Sequence, residues 1–134
     1  MQPHVLVVDD SRAVQHILEL ALTRLGFAVT VASDAASGVA VMRSALHSLI
    51  VVLDCASPPD DNANVLPTAL ADPWTGDRHV FVLIHTVEPP SADPALQKVA
   101  QWLTRPPLTL RKPFRLPDLL NVITQASQEL NNRP

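Results

Sequence analysis

Leu49-Ile50-Val51-Val52-Leu53-Asp54 is a run of aliphatic side chains that ends on a carboxylate. A short continuous apolar run of this kind, rich in β-branched residues, reads as a strand buried on both faces, as in a parallel sheet. An earlier run, Val5-Leu6-Val7-Val8, ends in the same way on Asp9-Asp10. A third, Leu108-Thr109-Leu110, leads through Arg111 to Lys112-Pro113-Phe114. Phe27 to Ala32 and Val80-Phe81-Val82-Leu83-Ile84 are two further strand-like stretches, and amphipathic segments separate all of them. Five such alternations predict an α/β domain whose parallel sheet carries helices on both faces.

The predicted strands are about 4–9, 27–32, 48–54, 80–84 and 107–111. A first helix starts near Asp10 or Ser11, both good caps, and runs to Leu25. Val14, Ile17, Leu18, Ala21 and Leu25 form its inner face, and Gly26 ends it. A second, capped by Ser33 or Asp34, runs to about Leu46 with Val39, Met42 and Leu46 inward. Cys55 to Asn64 is loop-like, with turn chemistry at Pro58-Pro59-Asp60-Asp61-Asn62. A short third helix covers about 63–71 despite Pro67. After the proline-rich connection Thr86 to Pro94, a fourth helix uses Asp93 as cap and Pro94 in its first turn, with Leu96, Val99, Ala100 and Leu103 inward. The last helix, from Leu116 or Pro117 to Leu130, packs Leu119, Leu120, Ile123 and Leu130, and residues 131–134 fray.

With 134 residues, 47% of them hydrophobic, the chain suits one domain spanning 1–134, with its core at about 4–130. A net charge of -3 and only 10 scattered Lys and Arg residues argue against nucleic acid or anionic lipid as a partner. The sequence has no apolar stretch near the ~20 residues of a membrane helix and no signal-type start, so a cytoplasmic location is expected. Cys55 is the only cysteine; it reads as a small buried hydrophobe pointing away from Asp54 by strand alternation. His4, His16, His47, His79 and His85 show no metal-ligand spacing and read as surface or boundary residues. Trp74 and Trp102 read as packing or partner-contact aromatics, Trp102 facing solvent on the fourth helix.

Parallel strands joined by right-handed crossovers present their C-terminal ends along one edge, and ligands collect where the strand order reverses. For five units the order 2-1-3-4-5 is expected by precedent from known flavodoxin-like (βα)5 three-layer sandwiches, in which strands one and three adjoin at the reversal. Asp9 and Asp10 then stand beside Asp54. Two carboxylates 4 Å apart repel by roughly 4 kcal/mol at an effective dielectric of 20, so the cluster calls for a cation or a proton. Oxygen-only ligands at a half-open edge suit Mg²⁺, which keeps waters and accepts phosphate oxygens. Lys112 adds a second positive charge, and the combination points to phosphoryl chemistry on Asp54.

These residues resemble the receiver domain of bacterial two-component response regulators, over nearly the whole chain from Val5 to about Leu130. Val5-Leu6-Val7-Val8-Asp9-Asp10-Ser11-Arg12 is similar to that family's first strand and acidic pair. Leu53-Asp54 with Pro58 is similar to its phosphoacceptor loop, Asp61-Asn62 stands where many members have Asp-Gly, and Lys112-Pro113-Phe114 matches its Lys-Pro-Phe, in which the Lys-Pro bond is commonly cis. The resemblance implies that Asp54 accepts phosphate from a sensor histidine kinase or a phosphotransfer protein. It further implies that Asp10 and Asp54 bind Mg²⁺ directly, that Asp9 helps through water and the backbone carbonyl of Ala56 completes the set, and that Lys112 holds the phosphoryl oxygens. It implies a signalling domain rather than an enzyme, acting on a downstream effector protein or output domain as a monomer or weak homodimer. The sequence leaves open a stand-alone receiver or the N-terminal part of a longer protein.

Two positions depart from the family pattern. Where members carry Thr or Ser at the end of strand four, ungapped counting gives Ile84. His85 faces the other way, and Thr86 shares the face of Ile84 but lies ~6.6 Å further along at ~3.3 Å per residue. Thr86 serves as the switch hydroxyl only if the strand end slips or bulges. Thr109 stands where the family often has a switching aromatic. A phosphorylation-independent interaction module is therefore the alternative. A haloacid-dehalogenase-type hydrolase needs a second Asp at the position of Ala56, and a flavodoxin needs an anion cradle where this chain has Asp9-Asp10-Ser11-Arg12.

Overall fold

The computed structural model describes residues 3–55 and 65–133. In chain order they form β1 (His4–Val8), α1 (Arg12–Arg24), β2 (Ala28–Ala32), α2 (Ala35–Ser44), β3 (Leu49–Asp54), α3 (Val65–Ala71), β4 (Val80–His85), α4 (Pro94–Ala100), β5 (Leu108–Arg111) and α5 (Leu116–Asn131). All strand pairs are parallel and the sheet order is β2-β1-β3-β4-β5, as the alternation of runs predicts. Every residue of the central β3 and β4 is buried, which is why their sequences read as unbroken apolar runs.

Strand alternation divides the core in two. Val5, Val7, Ile50, Val52, Val82 and Ile84 pack on Leu18 and Leu22 of α1 and on Leu119, Val122 and Ile123 of α5. Leu6, Val8, Val51, Leu53, Phe81 and Leu83 pack on the other face, against Val39 and Met42 of α2, Leu66 and Leu70 of α3, and Leu96 and Val99 of α4. Cys55 joins this second cluster, on the side away from Asp54 as alternation requires. Burial raises its thiol pKa to about 12, aided by the negative charges of Asp54 and Asp93.

The caps follow from the sequence. Ser11 Oγ accepts the amide of Val14 at 3.3 Å, Asp34 Oδ1 accepts that of Ser37 at 2.7 Å, and Asp93 caps α4. Gly26, at φ 94°, takes the left-handed turn after α1 that a side chain disfavours.

Ile17, Leu46 and Leu120, expected on inward faces, are exposed. Ile17 is 61% exposed, because the buried arc of α1 is centred on Leu18 and Leu22. Leu46 is 90% exposed, since α2 stops at Ser44 and Ala45 is already extended, with ψ 133°. Leu120 is 37% exposed, and Val122 and Ala126 fill the core instead. Trp102 lies beyond the end of α4 and packs, partly buried, on the second cluster rather than facing solvent. The expected fray is shorter than 131–134: Arg133 donates to the carbonyls of Asp77 and His79, both at 3.2 Å.

The histidine expectation is also corrected at two positions, His79 and His85, which are buried. His79 Nδ1 accepts the amide of Leu49 at 2.8 Å and its Nε2–H donates to the carbonyl of Met42 at 2.9 Å. The ring thus joins the end of α2 to the start of β3. Ahead of it, Pro73–Asp77 forms a π-helical turn absent from the sequence expectations. Trp74 Nε1–H donates to the carbonyl of Arg43 at 3.2 Å, while Arg78 lies 4.1 Å from the Trp74 ring centroid and donates to the carbonyls of Met42 and Ala45. The carbonyls of Met42 and Arg43 are among the last of α2, which have no partners within the helix, and Ala45 is its C-cap. Among the described residues no helix is long and apolar enough to cross a membrane.

Candidate phosphoacceptor site

Register brings the carboxylates together. Val8 of β1 pairs with Leu53 of β3, so Asp9 and Asp54, each one residue further, adjoin at the C-terminal edge. Both are buried, at 3% and 4% exposure. Asp54 pairs in turn with Ile84 of β4, and β5 delivers Lys112, whose amide donates to the carbonyl of His85 at 2.7 Å. The Lys112 ammonium forms a hydrogen-bonded ion pair with Asp54 Oδ2. The Lys112–Pro113 bond is cis, as is Glu88–Pro89. Asp10 is exposed beside Asp9, and Ala56, Pro58, Asp61 and Asn62 lie outside the described residues.

Asp9 is held closely. Its amide donates to the carbonyl of Ala32 at 3.0 Å, extending the β1–β2 ladder, and its Oδ1 accepts the amide of Ser11 at 2.8 Å. Asp9 Oδ2 is buried without a hydrogen-bond partner. Burial raises the Asp9 pKa; the Ser11 amide opposes this and the neighbouring charge of Asp54 adds to it. An orphaned acidic oxygen beside further carboxylates fits a hard divalent cation, with hydrated Mg²⁺ more apt than zinc, which prefers nitrogen and sulfur. Among the described residues, no three His, Cys, Asp or Glu side chains are already gathered about one point.

Ile84 is buried in the first cluster and pairs in register with Asp54 on one side and Leu110 on the other, so an apolar residue stands next to the Asp54 position. Thr86 is exposed just past the end of β4, and Thr109 is half-buried. Asp93, absent from the site residues expected from sequence except as a cap, organises this region. Its carboxylate accepts the amides of Thr86 and Val87 at 3.2 and 3.1 Å and those of Ala95 and Leu96 at 3.0 and 3.2 Å. These backbone hydrogen bonds hold its pKa below the usual carboxylate value. The proline-rich connection is thereby tied to the start of α4. His85 faces away from Asp54, its Nδ1–H donating to the carbonyl of Val87 at 3.0 Å. Gln15, on α1, also escaped the sequence reading; its only signal is a polar side chain on the part of α1 that turns back towards the end of β1.

No protein-family model matches the chain. It is 36% identical over 74 residues to protein PetR of Rhodobacter capsulatus, a match covering 53% of this chain and 31% of PetR. The chain thus spans about a third of that relative. Among solved structures, it is similar to the signal receiver domain of an HD-domain-containing protein from Pseudomonas fluorescens, with TM-score 0.76, 22% identity and coverage of 99% of this chain and 100% of that one. It is similar to a CheY-like response regulator receiver domain protein from Methanospirillum hungatei, with TM-score 0.74, 20% identity and coverage of 99% and 100%. It is also similar to the receiver domain of a sensor histidine kinase from Pseudomonas aeruginosa, described with a magnesium ion in its active-site cleft, with TM-score 0.70, 19% identity and coverage of 96% and 99%. The sheet order, the helices on both faces and these likenesses agree: the chain has the CheY-like receiver fold of response regulators.

Proposed function

We propose that this chain is a phosphorelay receiver in which Asp54 accepts a phosphoryl group from a phosphohistidine of a sensor kinase or phosphotransfer protein. The observation that carries the reading is the Lys112 ammonium on the Asp54 carboxylate, beside the unpartnered Oδ2 of Asp9. Mg²⁺ would be held by Asp10 and Asp54, by Asp9 through water and by the carbonyl of Ala56, and would supply positive charge that offsets the charge on the transferring group. The magnesium described in the Pseudomonas aeruginosa receiver supports that choice of ion. A carboxylate oxygen of Asp54 forms the new bond to phosphorus as the donor's N–P bond breaks, and the imidazole leaves with a proton. Lys112 meets the phosphoryl oxygens, and the buried edge fixes the in-line approach. Water later cleaves the acyl phosphate slowly. A downstream effector or output domain reads the modified surface.

The output route is atypical. Ile84 offers no hydroxyl beside Asp54, and Thr86 reaches the phosphoryl group only if the end of β4 rearranges. Ile84 favours a second reading, a receiver-fold interaction module that works without phosphate. Incubation with Mg²⁺ and acetyl phosphate, followed by intact mass, separates the two. Wild type is expected to gain one phosphoryl group and Asp54→Asn none. Wild type that binds Mg²⁺ yet stays unmodified with small donors and kinases alike would establish the module instead. Lys112→Met is expected to keep Mg²⁺ binding while slowing phosphoryl uptake about 100-fold, the scale of one lost charge-stabilising donor; stopped-flow or quenched labelling measures it.

A further inference from the structure

Asp9 lies close to the expected metal position, and its backbone carbonyl is held by a side chain with no assigned role. Gln15 Nε2 donates to the backbone carbonyl of Asp9 and, at 3.1 Å, to Ser33 Oγ just past β2. Its own amide is fixed by the carbonyl of Ser11 at 3.0 Å. Only the NH₂ end of the side chain can face Asp9, because a flipped amide would set oxygen against oxygen. Asp9 is therefore held at three points: its amide by Ala32, its carbonyl by Gln15 and its Oδ1 by Ser11. The one atom left over is the buried Oδ2.

We propose that Gln15 is a positioning residue for divalent-cation binding, holding the end of β1 so that Asp9 Oδ2 stays turned towards the ion. The proposal rests on the metal-dependent reading above. Gln15 touches neither ion nor phosphoryl group; it acts through the Asp9 backbone, as outer-shell partners of metal ligands do, where mutation typically weakens metal affinity 10- to 100-fold.

The test measures Mg²⁺ affinity of the whole chain by calorimetry, with Mn²⁺ titration by electron paramagnetic resonance as a second probe. Gln15→Met keeps the length and apolar stem but removes the donor, whereas Gln15→His restores an N–H at similar reach. Gln15→Met is expected to raise the Mg²⁺ Kd at least 10-fold while the rate of phosphoryl uptake at saturating Mg²⁺ stays within about twofold of wild type. Gln15→His is expected to recover most of the affinity and serves if the Met variant does not fold. A Kd for Gln15→Met equal to that of wild type, or a fall in saturated rate with unchanged Kd, overturns the positioning role. Absence of Mg²⁺ binding by the wild type overturns the metal-dependent reading and this proposal together, so the two failures are distinguishable.

Discussion

Gly76→Ala is expected to lower the unfolding free energy by about 4 kcal/mol, at the upper end of single-substitution effects. A methyl group at Gly76 would lie 1.7 Å from the carbonyl oxygen of Leu70 and 2.6 Å from its carbonyl carbon. Both are backbone atoms, so no rotamer change relieves the contact. Leu70 is fully buried in the cluster beneath α3, and Gly76 is itself buried in the π-helical turn, its amide donating to Asp72 at 2.7 Å. Either the last turn of α3 or the turn that leads into β4 must move, and each carries other buried bonds, including that of the Thr75 hydroxyl to the carbonyl of Ala69. Urea unfolding of the variant measures the cost. A loss under about 1 kcal/mol would show that the turn yields easily and that its close approach to α3 is dispensable.

Acidification is expected to remove about 3 kcal/mol of stability through His79 alone. Burial lowers its pKa from 6.5 to about 4; the hydrogen bond to the carbonyl of Met42 acts in the opposite direction, and the nearby charges of Arg78 and Arg133 lower it further. Above pH 6.5 neither the folded nor the unfolded chain carries a proton here, and the full stability is present. Between about 6.5 and 4 the unfolded chain binds a proton that the folded one refuses, which costs up to ~1.4 kcal/mol per pH unit. The geometry gives the reason: Nδ1 already accepts the amide of Leu49 and cannot take a proton without losing it. Asp9, whose folded pKa is raised, works in the other direction, because the folded chain takes up its proton first as pH falls. Asp77 and Asp93 have lowered folded pKa values, so their contributions are lost only as pH falls below the ordinary carboxylate value of 3.8. Denaturant unfolding of wild type and His79→Gln at pH 7, 6, 5 and 4.5 isolates the effect. Wild type is expected to lose stability more steeply by close to one proton over this window, and parallel curves would remove His79 from the account.

Buried histidines of this kind show where the sequence stopped being informative. The runs ending on Asp9, Asp54 and Lys112 gave the strands, and strand alternation placed Asp54 opposite Cys55 and His85. Both are local properties: a fully buried strand must be apolar throughout, and its side chains must alternate. The caps at Ser11, Asp34 and Asp93 and the turn at Gly26 were legible for the same reason, since each acts on amides or dihedrals within a few residues of itself. The five-strand order followed from crossover handedness together with a known precedent for the arrangement.

The remainder depended on contacts between separate elements. Asp93 was readable as a cap, but its hold on Thr86 and Val87 depends on the path of the intervening loop. Gln15 and Asp9 are close in sequence, yet their bond exists only because α1 folds back over the end of β1. The π-helical turn before β4 joins Trp74, Arg78 and His79 to the end of α2, more than 30 residues earlier. Sequence by itself determined which segments are strands or helices and which charged groups end them, because hydrophobic period and capping are encoded within single elements. Only the tertiary structure decided which buried polar atoms find partners and which, like Asp9 Oδ2, do not, because that depends on distances between elements that no local pattern records.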